Sequence, residues 1–354
     1  AHGSIDYAAA TGSSVGAAPW AAASTSTAAG EAACETPSAS LSIGSKITWE
    51  EIMGKLLVVG SVALDSVKTP FGEVTDALGG SATFFCTAAS YFTDVQLVAV
   101  VGEDFPPEHL AVLQRDRVDL NGLERRPGRT FRWRGEYSYK LNEAKTLDTQ
   151  LNVFETFRPT VPESYRTPSQ LFLANIDPEL QLMVLSQVQR PSIVALDTMN
   201  FWIDGKIGAL RKVLKEADIL IINDGEAQAL GDNRNLVQVS RIIRSFGPRT
   251  LIIKRGEYGV AMFHGDAMFA LPAYPLDDLK DPTGAGDSFA GGFMGFLASA
   301  SSSDEQSLRQ AVVYGSVMAS FAVQSFSVDR LAALTDEDIK KRYIEFSRFT
   351  TFQV

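Results

Sequence analysis

From residue 55 onward, short runs of Val, Ile and Leu alternate with longer stretches whose apolar positions recur every three or four residues. The runs at 56–60, 95–101, 171–174, 193–196, 219–222 and 250–254 read as buried strands. The stretches at 81–92, 107–117, 178–189 and 225–230 read as helices. Apolar strands without polar alternation need cover on both faces, so the pattern predicts a mostly parallel sheet between two layers of helices. Ligands of such sheets bind beyond the carboxyl ends of the strands. Residues 130–139 have a different period: aromatic and polar side chains alternate. That predicts an exposed strand with one sticky face, and 146–154 is its expected antiparallel partner. The pair, spanning roughly 129–155, is either an ordinary edge hairpin or a small β-lid over a cleft.

The chain has 354 residues, 45% hydrophobic and 21% charged, with a formal net charge of -10. An acidic surface repels phosphate backbones and anionic lipid, which argues against nucleic acid and membrane as partners. No apolar run is long enough to span a bilayer. Cys34 and Cys86 give neither a metal spacing nor a disulfide framework, so the expected setting is a reduced, cytoplasmic one. Residues 1–53 differ from the rest. Between 8 and 45 they are dominated by Ala, Ser, Thr and Gly, too poor in large apolar side chains to offset ordering entropy. The segment lacks the cationic and apolar blocks of a signal peptide, and a non-native or disordered leader is the expectation. Trp49-Glu50-Glu51-Ile52-Met53 back-translates to a purine-rich tract ahead of a start codon, which suggests Met53 as the native start and 54–354 as the folded domain.

The chemistry concentrates in Asp281-Pro282-Thr283-Gly284-Ala285-Gly286-Asp287-Ser288-Phe289. Phe289, Phe293, Phe296 and Leu297 follow at helical spacing, so Gly284 to Asp287 open a helix. Glycines let a ligand approach the backbone, and the free N–H groups of a first turn form an anion hole. A helix-capping acid accounts for Asp287 alone. It does not account for the Gly-Ala-Gly beside it.

This stretch closely resembles the second signature of the phosphofructokinase-B/ribokinase family of carbohydrate kinases, and other motifs follow in order along the chain. Gly60-Ser61-Val62-Ala63-Leu64-Asp65 resembles the family's first strand and substrate-binding acid. Gly79-Gly80 resembles its glycine pair at the lid hinge, and Val101-Gly102-Glu103-Asp104 its V-G-x-D turn. Asp197-Thr198-Met199-Asn200 resembles a D-x-N strand end, and Asn223-Asp224-Gly225-Glu226 an N-x-x-E motif. Lys254-Arg255-Gly256-Glu257-Tyr258-Gly259 stands where the family has T-x-G-x-x-G beside the nucleotide.

The resemblance implies a ribokinase-like three-layer α/β/α sandwich with a small β-lid, and ATP-dependent phosphorylation of a sugar or nucleoside hydroxyl. Asp287 would be the catalytic base, with Gly284 opening the catalytic turn and the amides of Ala285, Gly286 and Asp287 around the transferred phosphoryl group. Asp65, Gly79, Gly80 and Phe84 would meet the substrate. Asn223, Glu226, Lys254 and Gly256 would meet nucleotide and phosphate, Glu226 holding Mg²⁺ through water. Asp281 would help hold a monovalent cation such as K⁺. Lid strands in this family often pair two subunits, which implies a homodimer.

Two departures bear on the acceptor. Phe84 stands where the family often has a sugar-binding Asn, making either an aromatic wall or helix packing. Lys254 replaces Thr, and either reaches the phosphates or lies along the surface. Pentoses, ketohexoses, ketodeoxy sugar acids and nucleosides all remain candidate acceptors. A silent scaffold built on the same fold is the alternative, and an intact Asp287 argues against it. A nicotinamide oxidoreductase lacks its G-x-G-x-x-G after the first strand.

Overall fold

The computed structural model describes residues 55–142 and 144–351. The expected leader, 1–53, lies outside them. The chain opens with β1 (Leu56–Val59) and then leaves the main sheet for β2 (Ala63–Thr69) and β3 (Gly72–Gly79). It returns with β4 (Val95–Gly102) and β5 (Val118–Arg126), and leaves again for β6 (Arg132–Tyr137) and β7 (Ala144–Gln150). Strands β8 (Gln170–Leu173), β9 (Ile193–Leu196), β10 (Ile219–Asn223) and β11 (Thr250–Lys254) alternate with helices. A hairpin of β12 (Val260–His264) and β13 (Ala267–Leu271) precedes the helical C-terminal third.

Nine strands form the large sheet in the order β13-β12-β11-β10-β9-β8-β1-β4-β5. All neighbours pair in parallel except β11 with β12 and β12 with β13. Alternate residues of β1 point into different cores. Leu56 and Val58 pack with Phe84, Phe289, Phe293 and Met318 on one face. Leu57 and Val59 pack with Val184, Leu210, Val213 and Val239 on the other. This two-sided burial explains why the strands read as unbroken apolar runs, and it gives the three layers of a ribokinase-like α/β fold.

The smaller sheet, ordered β3-β2-β6-β7, contains the hairpin expected as a lid. The expected pairing of β6 with β7 is present and antiparallel. The lid is larger than 129–155, because β2 and β3 form its other half. The chain bends at Gly60, so Asp65 stands on lid strand β2 and not at the end of the first core strand. The helices expected at 81–92, 107–117 and 178–189 are shorter: Ser81–Ala89, Pro107–Leu113 and Pro178–Leu185. No helix among the described residues is long and apolar enough to cross a membrane.

Candidate active site

The carboxyl ends of β9, β10 and β11 stand side by side, and each delivers a polar residue. β9 runs into Asp197, β10 ends at Asn223, and β11 ends at Lys254, the register partner of Asn223. The first turn of helix Ala285–Ser299 lies close to them. Gly284 precedes that helix in the left-handed region at φ 72°, a conformation glycine adopts without strain. The Phe84 ring fills the space where a Cβ on Gly284 would lie. Phe84 is only 2% exposed. Of the two readings of Phe84, aromatic wall or packing, the geometry fits packing: the ring is a buried support beneath the turn, against Gly284.

No side chain caps this helix. The Ala285 N–H donates to the Pro282 carbonyl at 3.2 Å and that of Ser288 to the Gly284 carbonyl at 2.8 Å. Among the described residues the Gly286 N–H makes no such backbone bond, whereas the Asp287 N–H faces its own carboxylate, so the free donor of the turn is that of Gly286. A Cβ on Gly286 would lie 2.6 Å from Nζ of Lys254, which places that ammonium directly over the turn. Burial raises Asp287 above the usual carboxylate range, while Lys254 and the aspartate's own amide pull it back.

Asp65 enters from the lid. One of its oxygens accepts the Gly80 N–H at 3.3 Å and occupies the place of a Cβ on Gly79. Burial pushes the Asp65 carboxyl up to about 7; the Gly80 amide opposes this, and the charges of Asp281 and Asp287 add to it. Asp281 is buried. Its Oδ1 accepts the Thr283 N–H at 2.9 Å, and its Oδ2 has no hydrogen-bond partner among the described residues. Burial also raises Asp281.

Asn223 and Glu226 form a reciprocal capping box. The Asn223 side chain accepts the Glu226 N–H at 2.7 Å, and Glu226 Oε2 accepts the Asn223 N–H at 2.8 Å. The bland reading of this pair, a strand end followed by a helix-start acid, is thus present in full, and it uses one oxygen of Glu226. Gly256 has φ 54°. Asn142, from the loop between β6 and β7, lies where its Cβ would be, so the lid tip meets the turn after β11.

The two faces of β6 have separate uses. Arg132 pairs with Asp104 at 2.8 Å and with Asp76 at 3.4 Å, and Arg134 is exposed. On the other face, the Trp133 indole lies across Gly135, and the Tyr137 hydroxyl accepts a hydrogen bond from Thr283 Oγ1 at 3.3 Å. Trp133 is the register partner of Asp65. The aromatic face therefore looks toward Asp65 and the glycine turn, and the cationic face does not.

Sequence reasoning gave no role to Asp197 or Tyr137. Asp197 is 5% exposed, and its Oδ1 is unpartnered among the described residues. Burial and the charge of Asp287 hold it well above the carboxylate range. An acid directly after the apolar run 193–196 was the available signal. Among the described residues, no group of three or more His, Cys, Asp or Glu is arranged to hold a metal ion.

Residues 187–333, which include the glycine turn, Lys254, Asn223 and Glu226, match the model of the pfkB family carbohydrate kinases. Over those residues the chain resembles a pfkB family carbohydrate kinase. A cytidine kinase of Thermococcus kodakarensis is 29% identical over 245 residues, covering 68% of this chain and 87% of the relative. A nucleoside kinase of Methanocaldococcus jannaschii, an archaeal member of the ribokinase family, superposes with a TM-score of 0.67 at 18% identity, covering 83% of this chain and 99% of that one. A ribokinase of Cryptococcus neoformans, solved with ADP, superposes at 0.66 with 21% identity, covering 82% and 99%. These structures share the fold.

Proposed function

We propose that this kinase transfers the γ-phosphoryl group of ATP to a hydroxyl of an uncharged acceptor with a planar ring, a nucleoside before a sugar acid or sugar phosphate. The observation that carries the reading is Asp287 in the same helical turn as the uncapped Gly286 amide. A base and an anion hole then share one site, and phosphoryl transfer needs little else beyond positioning and charge neutralisation. Asp287 takes the proton of the attacking hydroxyl. Asp65 accepts hydrogen bonds from the acceptor's other hydroxyls, with Gly79 and Gly80 allowing close approach. Gly256 marks the nucleotide side.

Charge and shape support the acceptor class. Asp65, Asp281 and Asp287 make the acceptor side of the cleft acidic, which disfavours a carboxylate or phosphate. The lid guanidinium that could offset them, Arg132, is already paired twice. Trp133 and Tyr137 offer aromatic surface for a ring to rest on. The cytidine kinase relative agrees with this choice.

The residues present fit both expected ions. Mg²⁺ keeps most of its water shell and takes few protein ligands, which suits Glu226 with one oxygen left outside its capping box. Magnesium there would neutralise charge on the phosphates. The unpartnered, buried Oδ2 of Asp281 suits a monovalent cation such as K⁺. The test is ADP release from ATP with cytidine, adenosine, ribose, fructose and a ketodeoxy sugar acid as acceptors. Turnover confined to the sugar acid would overturn the acceptor class, and no turnover with any of them would overturn the kinase reading for this panel.

A further inference from the structure

Lys254 projects from the end of β11 into a group of acids. Asp197, Glu226 and Asp287 each feel its charge, and it is the cation that opposes their mutual repulsion. Its ammonium nevertheless makes no ion pair within 4.0 Å and no hydrogen bond among the described residues. It is placed over the Cα of Gly286, in space that any side chain at position 286 would contest. That space adjoins the free Gly286 amide of the helix turn. Asp197 adds an independent sign that the site awaits a ligand, because a buried carboxylate oxygen without a partner is costly.

We propose that Lys254 is a catalytic residue that contacts the phosphoryl group in transit, and that the absence of a side chain at Gly286 exists to admit its ammonium. The inference rests on the kinase reading above and goes beyond simple nucleotide binding. In the transfer, the bond between phosphorus and the acceptor oxygen forms as the bond to the bridging oxygen of ADP breaks. ADP leaves with that electron pair, and the hydroxyl proton goes to Asp287. Lys254 exchanges no proton. It neutralises charge on the equatorial oxygens, and since it breaks no ion pair to do so, its position costs little reorganisation. Three carboxylates around a phosphoryl group would otherwise oppose it.

The experiment compares wild type, Lys254→Met, Gly286→Ala and the double variant, using an acceptor that wild type phosphorylates. Lys254→Met should lower kcat about 10² to 10³-fold, the scale for losing one preorganised charge-stabilising donor. Dissociation of a non-hydrolysable ATP analogue should change by only a few-fold. Gly286→Ala should lower kcat in the same direction by displacing the ammonium. The double variant should be no worse than Lys254→Met alone, since both changes remove one interaction. Methylammonium or ethylammonium should partly restore turnover to Lys254→Ala, an effect a structural lysine would not show. Circular dichroism and thermal melting check that each variant is folded. Wild-type turnover with Lys254→Met within a few-fold of it overturns this inference and leaves the kinase reading standing. A variant that weakens analogue binding as much as it lowers kcat overturns the transit contact and reduces Lys254 to ground-state binding. Absence of wild-type turnover with every acceptor overturns both readings.

Discussion

Replacing Asp65 with asparagine should stabilise the ligand-free protein and impair its function. The carboxyl is 7% exposed, and burial holds it near 7 against an ordinary value of 3.8. At 1.36 kcal/mol for each tenfold change in proton affinity, that difference corresponds to about 4 kcal/mol. The sign follows from proton binding. Between about pH 4 and pH 7 the folded protein keeps a proton at Asp65 that the unfolded chain has released, so stability falls as pH rises. Above pH 7 the folded protein holds a buried charge, and the full cost persists. Asparagine keeps the acceptor for the Gly80 N–H and carries no charge. The stability difference between Asp65→Asn and wild type should therefore grow by up to about 4 kcal/mol from pH 4 to pH 7.5. Urea denaturation of both proteins at half-unit pH intervals measures it. Parallel profiles would refute the argument, because they would mean Asp65 titrates normally in the folded state. Acceptor hydroxyls that donate to the ionised carboxylate should reverse part of this cost. Acceptor binding should then release a proton below pH 7, which calorimetry in buffers of different ionisation enthalpy detects.

The other predictions are simpler. Asp287→Asn should lower kcat by about 10² to 10⁴, the usual worth of a general base, with ATP-analogue affinity nearly unchanged in a binding titration. Glu226 carries two roles that two substitutions separate. Glu226→Gln keeps an acceptor for the Asn223 N–H and should leave thermal stability almost unchanged while raising the Mg²⁺ concentration needed for half-maximal rate. Glu226→Ala should in addition lose the cap, at about 0.5–2 kcal/mol. Arg132→Ala should destabilise the lid by leaving Asp76 unpaired and Asp104 with only Arg129, at 4.0 Å. Its effect on KM should be no larger for anionic acceptors than for neutral ones, as a two-acceptor comparison would show.

The main sheet was legible because burial on both faces turns each parallel strand into an unbroken apolar run. Six such runs were read, and each is a strand of the large sheet. The missed strands lie where that cause does not operate. β2 and β3 face the cleft on one side, so Asp65, Ser66 and Lys68 interrupt their apolar pattern. The turn Thr69-Pro70-Phe71-Gly72 between them was the available signal for a hairpin. β12 and β13 lie at the antiparallel edge of the sheet, where the His264-Gly265-Asp266 turn gave a similar sign. Asp287, Gly286 and Lys254 were legible as one site only through the motif. Their sequence separation conceals that β11 ends against the helix that begins at Ala285.

The same comparison explains why the sequence could not decide which face of β6 looks inward. Arg132 and Trp133 alternate, and alternation alone is symmetric between the two faces. The choice depends on partners distant in sequence. Asp104 ends the V-G-x-D turn, and its carboxylate accepts the N–H and hydroxyl of Thr130 at 2.7 and 2.8 Å while pairing with Arg132. That turn anchors the start of β6 and draws its arginine away from the cleft. Once Arg132 is fixed there, the period of two sends Trp133 and Tyr137 to the other face, where Tyr137 meets Thr283. By holding Arg132, the acid of the V-G-x-D turn leaves Lys254 as the cation opposed to Asp197, Glu226 and Asp287. On the proposed reading, Lys254 then serves the phosphate donor, while Asp65 and Asp281, with no free lid guanidinium facing them, disfavour an anionic acceptor.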